Sequence, residues 1–243
     1  RGDFYAMQDA DDVSAPNRIE RQVAALLDNE QLAGVFCGYD LLIGQGPGAR
    51  HTAPTFAARS PEQCSAVIDA YRMPGHDPTA MWRVSAVQGL RFDETLRVGQ
   101  GFDYVLQVGE RHRDGLAVVG ETLYGYRIHG RGVTRTSPNR RLAFVREVRR
   151  RAMLRRGHDP AEVEEVIAGL TAISGQRRWG RWRSGDRNNH LINRFVESVR
   201  CQKAAGKWSA AARTAVEALT LGPLSLTNYK ALAALLLPRR SAT

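Results

Sequence analysis

Asp9, Ala10, Asp11 and Asp12 place three carboxylates on one short stretch, directly after the apolar run Phe4, Tyr5, Ala6 and Met7. Hard oxygen ligands side by side at a strand end suit Mg²⁺ or Mn²⁺ shared with a diphosphate. Such ions take few protein ligands and complete their shell from phosphate and water. The same residues would also serve as a solvated turn capping a helix that begins at Pro16. A calcium loop is excluded. Asp9 and Glu20 stand at its first and twelfth positions, but Val13 takes a ligand position, Ser14 replaces the required Gly and Pro16 interrupts the loop.

The elements around this turn follow from patterning. Phe4–Met7 reads as a strand, and Ile19, Val23, Leu26 and Leu27 define the apolar face of a helix after Pro16. Residues 35–44 read as a buried strand and 44–60 as a loop. A helix is predicted at 61–72, with Ser60 as N-cap, Pro61 in the first turn and Glu62 favouring the dipole. Helical periodicity returns at 102–112, and extended segments follow at 116–120 and 123–130. Alternating strands and helices predict an α/β sheet of mixed direction. From residue 142 onward the pattern is helical, at 142–154, 161–173, 190–201 and 208–221.

The net charge of +10 is unevenly spread. Residues 1–137 carry 14 Lys+Arg against 17 Asp+Glu, a sum of −3, whereas 138–243 carry 21 against 8, a sum of +13. A break this sharp predicts two regions with different tasks, meeting near residues 136–141. Cys37, Cys64 and Cys201 are odd in number and widely spaced, which supports neither a disulfide framework nor a zinc site and points to a reducing compartment. The longest apolar run, Ala231 to Leu237, is too short to span a bilayer.

Three stretches, in order, carry a family resemblance. The run RGDFYAMQDADDVSAPNRIERQVAALLDN at 1–29 resembles the metal-binding segment of family 2 glycosyltransferases of the GT-A fold. There a strand ends in Asp-x-Asp and a Pro-containing turn leads into a helix. HDPTAMWRVSAVQGLRFDETLRVGQGFDYVLQVGER at 76–111 is similar to the family's acceptor-side segment, and LYGYRIHGRGVTR at 123–135 to its closing Tyr-Arg-x-His stretch. The chain opens on Arg1 almost directly into a strand, without initiator Met or signal peptide. The expectation is therefore a GT-A-like mixed sheet over 1–137 that lacks its N-terminal nucleotide-binding strands, followed by a basic α-helical region over 138–243.

The resemblance implies transfer of a sugar from a nucleotide-diphosphate donor to a hydroxyl acceptor, with inversion and with Mn²⁺ or Mg²⁺. A glycan or cell-envelope polysaccharide is the acceptor expected from the family. Asp11 is the implied metal ligand, with Asp9 nearer the nucleotide and Asp12 supporting or capping the helix. The family carries its general base in a Gly-Glu-Asp-aromatic-Asp segment, which here reads Gly99, Gln100, Gly101, Phe102, Asp103. The usual base position is thus Gly101. Asp103 remains as a base after a small shift, or as a structural carboxylate in the first turn of a helix. His129 serves the metal or diphosphate end, or is a loop residue. His76 lines the acceptor cleft or bonds local backbone. Arg127 and Arg83 meet phosphate or form ion pairs, and Trp82 stacks on a sugar or packs in the core.

The basic region admits several readings. Residues 140–157 set Leu142, Val145, Val148, Ala152 and Met153 among arginines, as a membrane-surface helix or as one packed on the domain by its apolar stripe. The Trp179 and Trp182 stretch at 177–187 would suit bilayer headgroups or nucleic acid. A cytoplasmic enzyme, peripheral at the inner face of the membrane, is the leading expectation, and nucleic acid the less favoured partner. The alternative is an inactive relic domain whose basic helical module binds nucleic acid, a membrane surface or a partner protein.

Overall fold

The computed structural model describes residues 2–43, 50–51, 57–128 and 138–179, then 195–196, 199–200, 203, 206, 208–220 and 229–236. Its elements are β1 (Phe4–Ala6), β2 (Val13–Ser14), α1 (Arg18–Asp28), β3 (Gly34–Ile43), β4 (Arg50–His51), α2 (Pro61–Asp69), a 3₁₀ turn (Asp77–Thr79), β5 (Met81–Arg83), α3 (Val84–Val87), α4 (Gln100–Arg111) and β6 (Leu116–Ile128). Helices α5 (Pro138–Arg155), α6 (Pro160–Trp179), α7 (Trp208–Thr220) and α8 (Tyr229–Leu236) follow. This is a mixed α/β fold.

The sheet runs β1-β5-β3-β6-β2, with β4 paired to β3. β1 lies antiparallel to β5, with Phe4 opposite Arg83 and Ala6 opposite Met81, and β5 is antiparallel to β3. β3 and β6 run the same way: the Gly34 amide donates to the Gly115 carbonyl, and Gly38 lies against Thr122 four residues later. The sheet is therefore mixed in direction. The two extended segments at 116–120 and 123–130 are one strand through Ile128, with Gly120 inside it beside Ala58. A glycine here marks close backbone approach rather than a break.

Helix α2 begins as its residues dictate. Ser60 accepts from the Gln63 amide, Gln63 reaches back to the Ser60 amide, and Pro61 takes the first position. Helix α1 departs from its apolar pattern. Ile19 and Leu27 are 52% and 61% exposed, while Arg18, Gln22 and Leu26 are buried. The buried stripe has an i, i+4 repeat centred on two polar residues, because their partners are backbone carbonyls far along the chain.

The chain divides into two compact units, the first comprising residues 1–39, 54–125 and 137–176. Packing in this unit continues across the charge break at 137/138. Val148 and Ala152 of α5 are buried in the cluster that holds Phe102, Leu106 and Val108 of α4, with Phe144 and Val145 packed against it. The α5 arginines are held within the unit. Arg149 donates to the Tyr71 carbonyl, Arg150 pairs with Glu164, and Arg151 pairs with Asp93 and Glu147. Beside that helix end, Arg156 bonds Glu110 and lies over the Tyr71 ring.

The second unit comprises 40–53, 126–136 and 177–243. It includes the β3–β4 ladder and the packed pair α7 and α8, with Ala211, Ala215, Ala218 and Ala234 buried. The Lys203 ammonium donates to the Leu235 carbonyl at 2.9 Å. Helix α8 lies where the sequence showed only a short apolar run. Among the described residues no helix is long and apolar enough to cross a membrane. His129, Cys201, Trp182, most of 190–201 and most of the 44–60 loop lie outside the described residues.

Candidate functional site

The pairing of β1 with β5 builds the site. β1 leads out into the acidic turn, and the 3₁₀ turn leads into β5 from the same end. The two segments stay side by side beyond the strands, since the Met7 amide donates to the Ala80 carbonyl at 2.9 Å. Residues 7–12 and 77–80 are thereby held together although about 70 positions separate them.

Arg18 fixes both. Its guanidinium is buried, at 1% exposure. Nη2 donates to the carbonyls of Pro78 and Ala80 at 3.0 and 3.4 Å, and Nη1 to Ser14 Oγ and Gln8 Oε1 at 3.0 and 3.3 Å. Nε donates to Gln22 Oε1 at 2.8 Å, and Gln22 Nε2 in turn donates to the Thr79 carbonyl at 2.8 Å. The charge also lies 4.7 Å over the Tyr124 ring. Tyr124 continues the scaffold on β6. Its hydroxyl accepts the Asp9 amide at 3.1 Å and donates to Asp12 Oδ2 at 2.7 Å. Asp12 is thus tied to the sheet.

The acidic groups at the turn act on one another. Burial raises the Asp9 carboxyl above its ordinary range, and the charge of Asp11 raises it further. Asp77, in the 3₁₀ turn, is pushed up to about 6, first by burial and then by the charge of Asp9. Asp77 Oδ1 lies 3.4 Å from His76 Nδ1, and the His76 ring packs against Tyr39 at 4.9 Å. Among the described residues no three His, Cys, Asp or Glu side chains are grouped as a metal cage. Two hard carboxylates held within each other's field fit an ion that draws its remaining ligands from phosphate and water.

Gly101 explains how Asp77 is accommodated. It lies in the first turn of α4, and a Cβ built there would sit 1.9 Å from Asp77 Oδ2 and 2.7 Å from its Cγ. The Asp77 carboxylate therefore fills the space that a side chain at 101 would enter. Sequence reading overlooked Asp77, and it overlooked Arg18, Gln22 and Tyr124. The available signal was Gly-Gln-Gly at 99–101: glycine in the first turn of a helix where an acid is expected implies close approach of another group.

Other expected residues fall elsewhere. Asp103 is 2% exposed; Oδ1 accepts from Arg155 Nη1 at 2.8 Å and Oδ2 from Gln107 at 2.7 Å. It occupies the structural-carboxylate place, closed from solvent by an ion pair. Trp82 is 1% exposed and sits edge-on between Phe36 and Tyr104, with both centroids 5.6 Å away. The stacking expectation for Trp82 is corrected to core packing, because neither ring face is open to a sugar. Arg83 bonds the carbonyls of Leu32 and Leu26 at 3.0 and 2.5 Å and lies over Phe4, so its fork is used on backbone rather than phosphate. Arg127 is half-buried near the end of β6, in the second unit. Cys37 and Cys64 are buried free thiols, each pushed up to about 11 by burial.

No protein-family model matches this chain, and no curated protein matches it in sequence. The solved structure of S. aureus TarS 1–349, a glycosyltransferase, is similar to it with a TM-score of 0.44 and 14% identity. The match covers 97% of this chain, which spans 64% of the length of that one. A likeness so remote says nothing about substrate or chemistry.

Proposed function

We propose that this chain is a family 2-like, GT-A-type glycosyltransferase. It moves a sugar from a nucleotide-diphosphate donor to a hydroxyl acceptor, with inversion at the anomeric carbon. The observation that carries this reading is the acidic turn at the end of β1, held beside the Asp77 turn by the Met7–Ala80 hydrogen bond and by the buried Arg18. A cation shared with a diphosphate would offset the repulsion between Asp9 and Asp11.

Asp11 and Asp9 would hold Mn²⁺ or Mg²⁺, which when bound neutralises charge on the leaving diphosphate. Asp12 and Tyr124 keep the turn in register with β6. His76, beside Asp77, would line the acceptor side. The test is a thermal-shift titration of the chain with UDP, GDP and TDP in the presence of Mn²⁺, comparing wild type with Asp11→Asn. Stabilisation is expected only with metal and nucleotide together, of about 2–3 kcal/mol near a hundredfold excess over Kd, and it is expected to vanish in the variant. No shift with any nucleotide would sink the reading.

A further inference from the structure

We propose that Asp77 is the general base of the transfer, its carboxylate standing where a side chain at position 101 would otherwise reach. This assignment rests on the glycosyltransferase reading above.

Attack by a hydroxyl needs a proton acceptor that is placed at the site, held rigidly and open to an incoming group. Asp103 meets none of the last condition, being 2% exposed and closed by Arg155 and Gln107. Asp12 is the acceptor of the Tyr124 hydroxyl and so belongs to the scaffold. Asp77 meets all three conditions. Its side chain is 35% exposed, and Oδ2 lies against Gly101. The surrounding backbone is fixed by the Ala80 amide on the Asp77 carbonyl, by Thr79 Oγ1 on the His76 carbonyl, and by Arg18 and Gln22 on the carbonyls of residues 78–80. His76 Nδ1 lies within 3.4 Å of the other carboxylate oxygen and orients the group.

In the step itself the acceptor hydroxyl gives its proton to Asp77. The hydroxyl oxygen forms the new bond to the anomeric carbon. The bond from that carbon to the diphosphate oxygen breaks, its electron pair leaves with the nucleoside diphosphate, and Asp77 later returns the proton to solvent.

The experiment measures release of nucleoside diphosphate from UDP-glucose, GDP-mannose and TDP-glucose with Mn²⁺, water serving as acceptor, alongside thermal shift with the matching nucleotide. Asp77→Asn should lower release at least ~100-fold while leaving the nucleotide-dependent shift in place. Asp103→Asn should bind nucleotide and turn over whenever it folds. Moving the carboxylate tests position directly: Asp77→Gly alone should be inactive, and Asp77→Gly combined with Gly101→Asp should regain at least about tenfold, which a purely structural role would not produce. Release by Asp77→Asn within about threefold of wild type would overturn the assignment. So would a folded, nucleotide-binding exchange variant that regains nothing, or a wild type that binds nucleotide yet releases none. A wild type that binds no nucleotide overturns the glycosyltransferase reading instead.

Discussion

Two groups of carboxylates stand on the first unit and are treated in opposite ways. On the seam between α4 and α5, Asp103 and Glu110 meet the guanidinium of Arg155 at 2.8 and 2.9 Å, and Arg156 adds a second cation to Glu110 at 3.1 Å. At the acidic turn, the field acting on Asp9 comes from Asp11 and the field acting on Asp77 comes from Asp9. The buried Arg18 guanidinium is spent on backbone carbonyls, Ser14, the two glutamines and a ring face. The same side chain thus stabilises one region and loads the other. Carboxylates matched by arginine hold the domain together, whereas Asp9 and Asp77 are loaded by burial and by a neighbouring acid.

Breaking the seam should have the largest effect. Arg155→Met leaves the Asp103 carboxylate, 2% exposed, without its cation, a loss of about 3–5 kcal/mol expected for an uncompensated buried charge. Urea unfolding checks this, and a loss below about 1 kcal/mol would mean that the seam is no stronger than a surface pair.

The acidic turn should respond with the opposite sign. Burial, then the charge of Asp9, pushes the Asp77 carboxyl up to about 6 in the folded chain, from its ordinary 3.8. The native state therefore keeps a proton that the unfolded chain releases, and stability falls as pH rises from about 4 through about 6, then levels. Asp77→Asn removes this penalty. After allowance for solvent screening of a side chain that is 35% exposed, the variant should gain about 1–2 kcal/mol over wild type above pH 7 and nearly nothing at pH 4. Melting curves at the two pH values decide it. Equal gaps at both would place the cause in packing rather than in charge.

The smallest response belongs to a pair outside both regions. Arg150 and Glu164 meet at the surface, at 2.5 Å with side chains 39% and 58% exposed. Arg150→Gln should leave the midpoint unchanged within error, since such pairs are screened by water and salt. A clear loss would show that α6 depends on that contact.

What the sequence disclosed follows from how local each signal is. The Ser60 cap of α2 and the acidic turn are written in consecutive residues and could be read directly. The buried face of α1 could not, because Arg18 and Gln22 count as polar until the carbonyls of residues 78–80 are brought to them. Asp77 escaped for the same reason, its decisive neighbour being Gly101 on another element. The basic stripe on α5 was visible as composition, whereas the acids that hold its arginines come from several separate segments. Local chemistry was legible. Long-range satisfaction of charge was not.

The contact between Gly101 and Asp77 also constrains how this fold can vary. With only 1.9 Å between a Cβ at 101 and the Asp77 oxygen, the two positions share one slot that holds a single carboxylate. A lineage could move the acid from one element to the other only by changing both residues, through an intermediate that either overfills the slot or empties it. Chains of this architecture should therefore sort into two groups, acid at 77 with glycine at 101 or the reverse, with few carrying acids at both.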